Sequence, residues 1–245
     1  MCGRYTLTRY DGIVDDLQAA IGTGVSASEW WKPRFNVAPT QPAPVVLMRD
    51  GARTIELMKW GLVPHWAARA RIAGGASPAK RPPLMINARV ETLVDKPTFR
   101  DALSRRRCLV PADGFFEWQR LGGTPVPMYV HPGTPRLVAF AGLWARARTD
   151  AGEQYTFTII TGSPNELVLP IHDRMPVVLD PSTYAAWLDP SVDHVAARAL
   201  LSTPAVSDWR AELVSTWVNK ADHEGPQCIE PVAPPPTGPT QTSLF

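Results

Sequence analysis

No stretch of this chain approaches the roughly 18 consecutive apolar residues that a membrane-spanning helix needs, so the sequence excludes such a span. The N-terminus has no apolar run after its first positive charge, and we therefore expect neither a secretory nor a lipoprotein signal. Cysteines are few and far apart, at positions 2, 108 and 228, without the spacing of metal ligands. We expect a reduced, cytoplasmic protein with no metal and no other cofactor.

Lysine is scarce as well. It supplies only 5 of the 25 basic residues, so most of the positive charge is arginine, whose planar guanidinium suits bidentate contacts to phosphate. The formal net charge is only +2, which argues against a strongly basic protein that binds by charge alone. Proline, by contrast, is abundant, with 26 residues in 245, and this number favours many short elements joined by fixed turns.

The order of the apolar patterns predicts one α+β domain with a β-rich, barrel-like core and peripheral helices. The domain spans residues 2–230, and the Pro-rich tail 231–245 is expected to be disordered. Helices are predicted at 11–21, 98–107, 181–188 and 192–201, and an ordered loop at 30–41. A β-hairpin is predicted from 44–48 and 53–60, because Asp50-Gly51 lies between them. Further strands are predicted at 85–90, 108–111, 115–119, 126–131, 137–144, 155–161, 175–179 and 211–218.

Cys2 becomes the N-terminal residue if Met1 is removed, and it then carries an α-amine and a thiol on neighbouring carbons. The amine can condense with an aldehyde to a Schiff base, after which the thiol adds to the imine carbon and closes a five-membered thiazolidine. The reference pKa values of the amine and the thiol, about 7.7–8.0 and about 8.5, leave useful fractions of both nucleophiles at neutral pH. A cysteine at position 2 is usually incidental, so other residues must support this chemistry.

Three polar residues lie in apolar surroundings where a purely structural role is not the obvious one. Glu117 stands between Phe116 and Trp118, and burial there would raise its pKa toward the range of a proton carrier at neutral pH. His172 and Asn87 interrupt apolar runs in the same way. The structural alternatives are a solvent-facing strand position for Glu117, an ordinary loop or cap histidine for His172, and hydrogen bonds to buried backbone for Asn87.

The order of several short motifs resembles that of the SRAP family, the SOS response-associated peptidase-like or HMCES-like proteins that crosslink abasic sites. These motifs cover nearly the whole of residues 2–230. They are Cys2-Gly3-Arg4-Tyr5, Arg34-Phe35-Asn36-Val37-Ala38-Pro39, Trp60-Gly61-Leu62 with Pro64 and Trp66, Asn87-Ala88-Arg89-Val90-Glu91-Thr92, Cys108-Leu109-Val110-Pro111 with Gly114, Glu117-Trp118, Gly142-Leu143-Trp144 and His172-Asp173-Arg174-Met175-Pro176.

The resemblance implies a protein that binds single-stranded DNA and forms a thiazolidine with the ring-opened aldehyde of an abasic site. Cys2 matches the nucleophile that follows the removed methionine, and Asn87 matches the residue that positions the amine and the sugar oxygen. Glu117 matches the acid/base. His172 matches the group that assists ring opening and its reversal.

The resemblance also implies a DNA-binding set. In this set, Gly3 lets the backbone approach the sugar, and Pro39 and Trp66 pack against bases. The phosphate-binding residues are Arg4, Arg89 and Arg174. The expected partner is single-stranded DNA with abasic sites. The protein is expected to be a monomer in the bacterial cytoplasm, associated with the nucleoid when bound to DNA, with no membrane or metal partner.

Two features depart from the family pattern. The segment 67–83 looks longer and more basic than expected, and Ala67 stands where some relatives carry a second tryptophan. Both changes lie beside the expected DNA path, so stacking there should be weaker and electrostatic contact stronger.

Two other functions remain open at this stage. One is an N-terminal-nucleophile cysteine peptidase, with Cys2 as the nucleophile, Glu117 or His172 as the base and Met1 removed autocatalytically. The other is a module that binds single strands without covalent chemistry, in which Cys2 takes no part. An AP-lyase activity that accompanies the Schiff base is also compatible with the sequence.

Overall fold

The computed structural model describes residues 2–9, 12–21, 32–64, 84–149, 152–202 and 208–233. Its strands are β1 (Arg4–Leu7), β2 (Ala20–Ile21), β3 (Arg34–Val37), β4 (Pro42–Arg49), β5 (Ala52–Trp60), β6 (Asn87–Arg89), β7 (Arg107–Ala112), β8 (Gly114–Leu121), β9 (Thr124–Pro132), β10 (Val138–Thr149), β11 (Gly152–Gly162), β12 (Met175–Pro176) and β13 (Trp209–Leu213). The described helices are short: α1 (Gly12–Asp16), α2 (Pro97–Arg105), α3 (Tyr184–Leu188) and α4 (His194–Ala199). Short 3₁₀ segments cover Val90–Thr92, Pro181–Thr183, Thr216–Asn219 and Pro226–Cys228.

Five strands close on themselves as a barrel in the order β5-β4-β7-β10-β11. Closure comes from a parallel pairing of β11 with β5, in which Thr156 lies opposite Lys59 and Phe157 opposite Trp60. A closed sheet leaves no unpaired edge. Its strands carry fully buried aromatic residues, and two of them, Trp60 and Phe140, pack against Tyr5 of β1. The predicted α+β fold with a barrel-like β core is therefore confirmed.

A second sheet, in the order β13-β9-β8-β1-β3, carries the N-terminus of the chain. Strand β1 runs antiparallel to β8, with Arg4 opposite Phe116, Tyr5 opposite Phe115 and Thr6 opposite Gly114. Continuing this register past the start of β1 places Gly3 opposite Glu117 and Cys2 opposite Trp118, so Cys2 and Glu117 are diagonal neighbours across the two strands. The pairing of β1 with β8 thus joins two candidate site residues that are 115 positions apart in the sequence.

The predicted hairpin is confirmed. Strands β4 and β5 pair antiparallel from Pro42 opposite Lys59 to Arg49 opposite Ala52, with Asp50-Gly51 as the two-residue turn. Both turn residues have positive φ, 51° at Asp50 and 79° at Gly51, which is the combination that a tight hairpin turn requires.

The helix predicted at 11–21 is much shorter in the structure. It ends at Asp16, since Gln18 has a φ of 50° that no α-helix accommodates, and Ala20–Ile21 form β2. Ile13 and Leu17 are buried as the helical spacing indicated, but Ile21 is 42% exposed. The apolar spacing identified two buried residues correctly, but it was wrong for Ile21 and overestimated the length of the helix.

The segment predicted as a loop at 30–41 contains β3, which pairs with β1. Pro33 and Pro39 lie outside the four strand residues, so they exclude a helix without interrupting the strand. The predicted strand at 211–218 is also corrected, since β13 spans Trp209–Leu213 and Thr216–Asn219 form a 3₁₀ turn. The helix predicted at 98–107 is confirmed as α2, with Phe99, Ala102 and Leu103 on its buried side.

The remaining predicted strands occur close to their expected positions, with two exceptions. The strand predicted at 85–90 is reduced to β6, which is followed by a 3₁₀ turn, and the strand predicted at 175–179 is reduced to the two residues of β12. The helices predicted at 181–188 and 192–201 are reduced to a 3₁₀ turn with α3 and to α4. Contacts continue past the expected start of the tail, because Pro231 bridges to Val214 and the amide of Val232 donates to the carbonyl of Leu213 at 2.9 Å. Residues 234–245 lie outside the described part of the chain.

Candidate active site at the N-terminal strand

Cys2 is fully buried immediately before β1. Its Sγ lies 3.7 Å from the carbonyl oxygen of Arg4. Burial, together with the nearby negative charge of Glu117, raises the pKa of the thiol far above its ordinary value. The thiol is therefore protonated at neutral pH and needs a neighbouring base before it can add to an electrophile.

Glu117 is the nearest candidate for that base. Glu117 is 2% exposed. It lies on the same face of β8 as Phe115, which packs in the main core, whereas Phe116 and Tyr129 pack together on the other face. Burial raises the pKa of the carboxyl to about 7, so its protonated and ionised forms coexist at neutral pH. The alternative of a solvent-facing strand position is excluded by this burial.

His172 approaches Glu117 from the turn before β12. Its Nε2 lies 3.9 Å from Glu117 Oε2, while its Nδ1 accepts a hydrogen bond from the backbone N–H of Arg174 at 3.0 Å. Nδ1 is also 3.0 Å from Asp173, but that side chain is 85% exposed and its charge is screened by water, so the backbone donor decides the tautomer. Nε2 therefore carries the proton and directs it toward Glu117. Burial lowers the pKa of His172, which keeps the ring neutral at pH 7.

Asn87 is held on a third element, the first residue of β6. This strand pairs in parallel with β11, with Asn87 opposite Ile159. The Asn87 amide nitrogen donates to the carbonyl of Ile86 at 3.1 Å, and its Oδ1 is buried without a hydrogen-bond partner in the described structure. A buried amide oxygen that lacks a donor is available to accept a hydrogen bond from an incoming amine or hydroxyl.

The three arginines expected to contact phosphate have different surroundings. Arg89 is exposed at the end of β6. Arg174 pairs with the carboxylate of Glu91, which offsets part of its charge. The Arg4 guanidinium donates to Asn36 Oδ1 at 3.1 Å, to Val218 O at 2.6 Å and to Asn219 O at 3.3 Å, so it is already bound to the protein.

Gly3 and Pro39 are both half-buried, Gly3 between Cys2 and β1 and Pro39 just after β3. Trp66 and the basic segment 67–83 lie outside the described residues. Within the described part of the chain, no group of three or more His, Cys, Asp or Glu side chains has a geometry that would hold a metal ion. None of the described helices has the length and apolar character needed to cross a bilayer.

One residue that the sequence did not identify fixes the position of β1. Asp113, 6% exposed between β7 and β8, accepts hydrogen bonds from the hydroxyl of Thr6, from the amide and hydroxyl of Thr8 at 2.5 and 2.6 Å, and from the amide of Arg9 at 2.9 Å. Tyr129 Oη adds a hydrogen bond to Thr6 Oγ1 at 3.0 Å. The network anchors the strand that follows Cys2 at its far end. The sequence contains one signal for Asp113, namely its position directly before Gly114, the last residue of the motif that begins at Cys108.

Asp113→Asn is expected to destabilise the protein by roughly 2 kcal/mol, because the amide has one oxygen acceptor where the carboxylate has two, and the negative charge that strengthens the four hydrogen bonds is lost. Urea unfolding measures this difference. The matched control is Asp95→Asn, at an exposed aspartate, which should leave the unfolding free energy within about 0.5 kcal/mol of wild type. Equal stability of Asp113→Asn and wild type would contradict the anchoring role.

Comparison with known proteins supplies the family. The family model described as SOS response associated peptidase (SRAP) matches residues 1–221. Abasic site processing protein YoqW of Bacillus subtilis (strain 168) is 40% identical over 235 residues, covering 94% of this chain and 99% of that protein. Abasic site processing protein HMCES of Gallus gallus is 31% identical, covering 82% of this chain and 67% of that protein.

A solved structure gives the same result for the fold. The crystal structure of a protein from Bacteroides thetaiotaomicron superposes with a TM-score of 0.78 at 24% sequence identity, covering 95% of this chain and all of that one. The family match extends from the N-terminus to residue 221 and so includes Cys2, Asn87, Glu117 and His172. On this evidence, the chain belongs to the SRAP family.

Proposed function

We propose that this protein processes abasic sites by capturing them covalently in single-stranded DNA through Cys2, after removal of Met1. The observation that carries the proposal is the pair of proton carriers beside Cys2, the buried Glu117 and the partly exposed His172. The carboxyl of Glu117 has a pKa of about 7, and its charge is close enough to Cys2 to raise the pKa of the thiol. The Nε2 of His172 is 3.9 Å from the Glu117 carboxylate. The relatives named abasic site processing proteins support the choice of substrate.

The reaction proceeds by two additions with loss of one water. The α-amine of Cys2 attacks the aldehyde carbon of the ring-opened sugar, and the resulting carbinolamine loses water to give an imine. The thiol sulfur then bonds to the imine carbon while its proton is transferred to the imine nitrogen, which leaves a secondary amine in a five-membered ring. No oxidant or reductant is consumed, and water is the only leaving group.

The proton transfers match the charge states of the site. Glu117 takes a proton from the amine or the thiol in its ionised form and donates one to the departing water in its protonated form. His172, neutral with its proton on Nε2, can hydrogen-bond to the sugar ring oxygen as the furanose opens, while the protonated form of Glu117 supplies the proton and takes it back on reversal. The free Oδ1 of Asn87 is suited to orient the attacking amine.

The direct experiment is incubation with a single-stranded oligonucleotide that carries one abasic site, followed by denaturing electrophoresis. A denaturation-stable adduct with this oligonucleotide, and none with the intact one, is expected. Binding of both oligonucleotides without an adduct would instead indicate a noncovalent module. Peptide cleavage without any DNA adduct would indicate the peptidase alternative.

Phosphate contacts are proposed for Arg89 and Arg174, with Gly3, Arg4, Pro39 and Trp66 completing the DNA-binding set. Three of the five N–H donors of the Arg4 guanidinium are directed at Asn36, Val218 and Asn219, which leaves Nε–H and one Nη2–H for a phosphate contact. Arg89 is the most accessible of the three arginines, and its side chain is the best suited to a direct contact.

Arg89→Ala is expected to weaken binding of every single-stranded sequence to a similar extent and to reduce the slope of log K against log salt by about 0.7. Fluorescence anisotropy across a salt series measures both quantities. Arg148→Ala is the control, because Arg148 is exposed near the opposite end of β11, where it pairs with Glu153 in register. An equal change in slope for the two variants would show that general charge, and not a phosphate site at Arg89, is responsible.

A further inference from the structure

Trp217 is an exposed tryptophan on a rigid segment beside the site. The 3₁₀ turn Thr216–Asn219 buries Val218 completely in a cluster with Phe116 and Cys228, whereas Trp217 is 44% exposed. A tryptophan that is exposed and also held in place presents a preorganised aromatic surface on which another ring can stack.

The indole of Trp217 is held by the ring of His223. The two ring centroids are 3.6 Å apart with an interplanar angle of 20°, and His223 Nδ1 donates to the carbonyl oxygen of Trp217 at 2.8 Å. One face of the indole is therefore covered. Since the side chain is ordered in advance, a ring that stacks on its free surface meets little entropic cost.

The segment that carries Trp217 is tied to the two strands of the active site. Arg4, two residues after Cys2, donates to the carbonyls of Val218 and Asn219 at 2.6 and 3.3 Å. Trp118, which follows Glu117, donates from Nε1 to Asn219 Oδ1 at 2.8 Å. The segment that carries Trp217 is thus hydrogen-bonded to residues close in sequence to Cys2 and Glu117.

The charges around Trp217 favour stacking over phosphate binding. Lys220 is exposed on the same segment, but Asp222 and Glu224 follow it, and Glu224 forms an ion pair with Arg34 at 2.9 Å. Nearby positive and negative charges balance, so the segment does not attract a phosphate strongly. Its distinctive feature is the aromatic surface, and every nucleobase presents a π-face to such a surface.

We propose that the free surface of Trp217 is a stacking platform for one nucleobase of the DNA strand flanking the abasic site. This inference rests on the proposed function and adds a specific subsite to it. The platform requires no particular base, because stacking reads no hydrogen-bond pattern, and it holds the flanking strand while the lesion occupies the site at Cys2.

The test is the affinity of Trp217→Ala and Trp217→Phe for an undamaged single-stranded thymidine oligonucleotide, measured by fluorescence anisotropy. Trp217→Ala should bind about fivefold or more weakly, while Trp217→Phe keeps most of the affinity because it retains a π-face. The slope of log K against log salt should be unchanged in both variants, because no phosphate contact is lost. A variant that has lost the fold would alter the slope as well.

Ile21→Ala is the matched control. Ile21 is 42% exposed, almost the same fraction as Trp217, but lies on β2 in the other sheet, and its variant should bind like wild type. If wild type does not bind single strands, the proposed function fails. If wild type binds and Trp217→Ala binds equally well, the stacking platform alone is overturned.

A second comparison locates the platform. With oligonucleotides carrying an abasic site and a flank on one side only, the Trp217→Ala defect should appear for one flank and be absent for the other. An identical defect for both would overturn the assignment of Trp217 to a flanking base and would indicate a general loss of binding.

Discussion

Cys2→Ala is expected to abolish the denaturation-stable adduct with abasic-site DNA while leaving noncovalent binding of undamaged single strands nearly unchanged. The variant keeps an N-terminal amine after removal of Met1, so it can still form a Schiff base, but no sulfur remains to close the ring. A Schiff base hydrolyses in water, whereas the thiazolidine is a saturated ring. Denaturing electrophoresis of abasic-site reactions measures the adduct directly.

Three controls make this result specific to the aminothiol. Cys228→Ala removes another fully buried cysteine and should crosslink at the wild-type rate. Cys2→Ser retains the amine and the shape of the side chain, and its adduct should be visible only after borohydride reduction of the imine. A tag that blocks the N-terminus should prevent the adduct altogether. Undiminished crosslinking by Cys2→Ala would contradict the proposed nucleophile.

Glu117→Gln is expected to slow crosslinking by roughly 10²-fold or more, the usual contribution of a positioned general acid/base. Glutamine preserves the shape of the side chain but neither accepts nor releases a proton near pH 7. The buried thiol, whose pKa is raised by its surroundings, would then lose its nearest base. Single-turnover kinetics on abasic-site DNA measure the rate, and the affinity for undamaged single strands should remain nearly unchanged.

The same substitution should stabilise the fold at high pH. The carboxyl pKa is about 7 in the folded protein and about 4.3 in an unfolded chain, so between these pH values the folded state binds more protons. The contribution of Glu117 to stability is therefore fully present below about pH 4 and is lost as the pH rises to 7. Relative to wild type, Glu117→Gln should gain about 3 kcal/mol in unfolding free energy between pH 4 and pH 8.

Urea unfolding at several pH values tests this prediction. Glu166→Gln removes an exposed carboxylate and should follow the wild-type pH dependence within about 0.5 kcal/mol. A pH dependence of Glu117→Gln that matched wild type would show that the carboxyl titrates normally. A wild-type crosslinking rate in that variant would separately exclude Glu117 as the proton carrier.

Local patterns predicted much of the fold. The Asp50-Gly51 turn identified its hairpin, and the spacing of Phe99, Ala102 and Leu103 identified the buried side of α2. These signals depend on backbone preferences and on which side chains avoid water, both of which act over a few residues. The local patterns predicted neither the end of α1 nor the strand β3. The positive φ at Gln18 and the pairing of β3 with β1 depend on contacts with the surrounding structure, which a pattern over a few residues does not contain.

For the site, the sequence by itself determined the chemistry that is available: a cysteine at position 2, a carboxylate among aromatic residues, and the motifs that resemble the SRAP family. The tertiary structure alone decided which groups act on one another. The pairing of β1 with β8 brings Cys2 to Glu117, Asp113 anchors the strand that follows Cys2, and Arg4 is committed to carbonyls of a segment more than 200 residues away. The physical reason is that pKa values and free donors depend on burial and on partners distant in sequence, which no local pattern encodes.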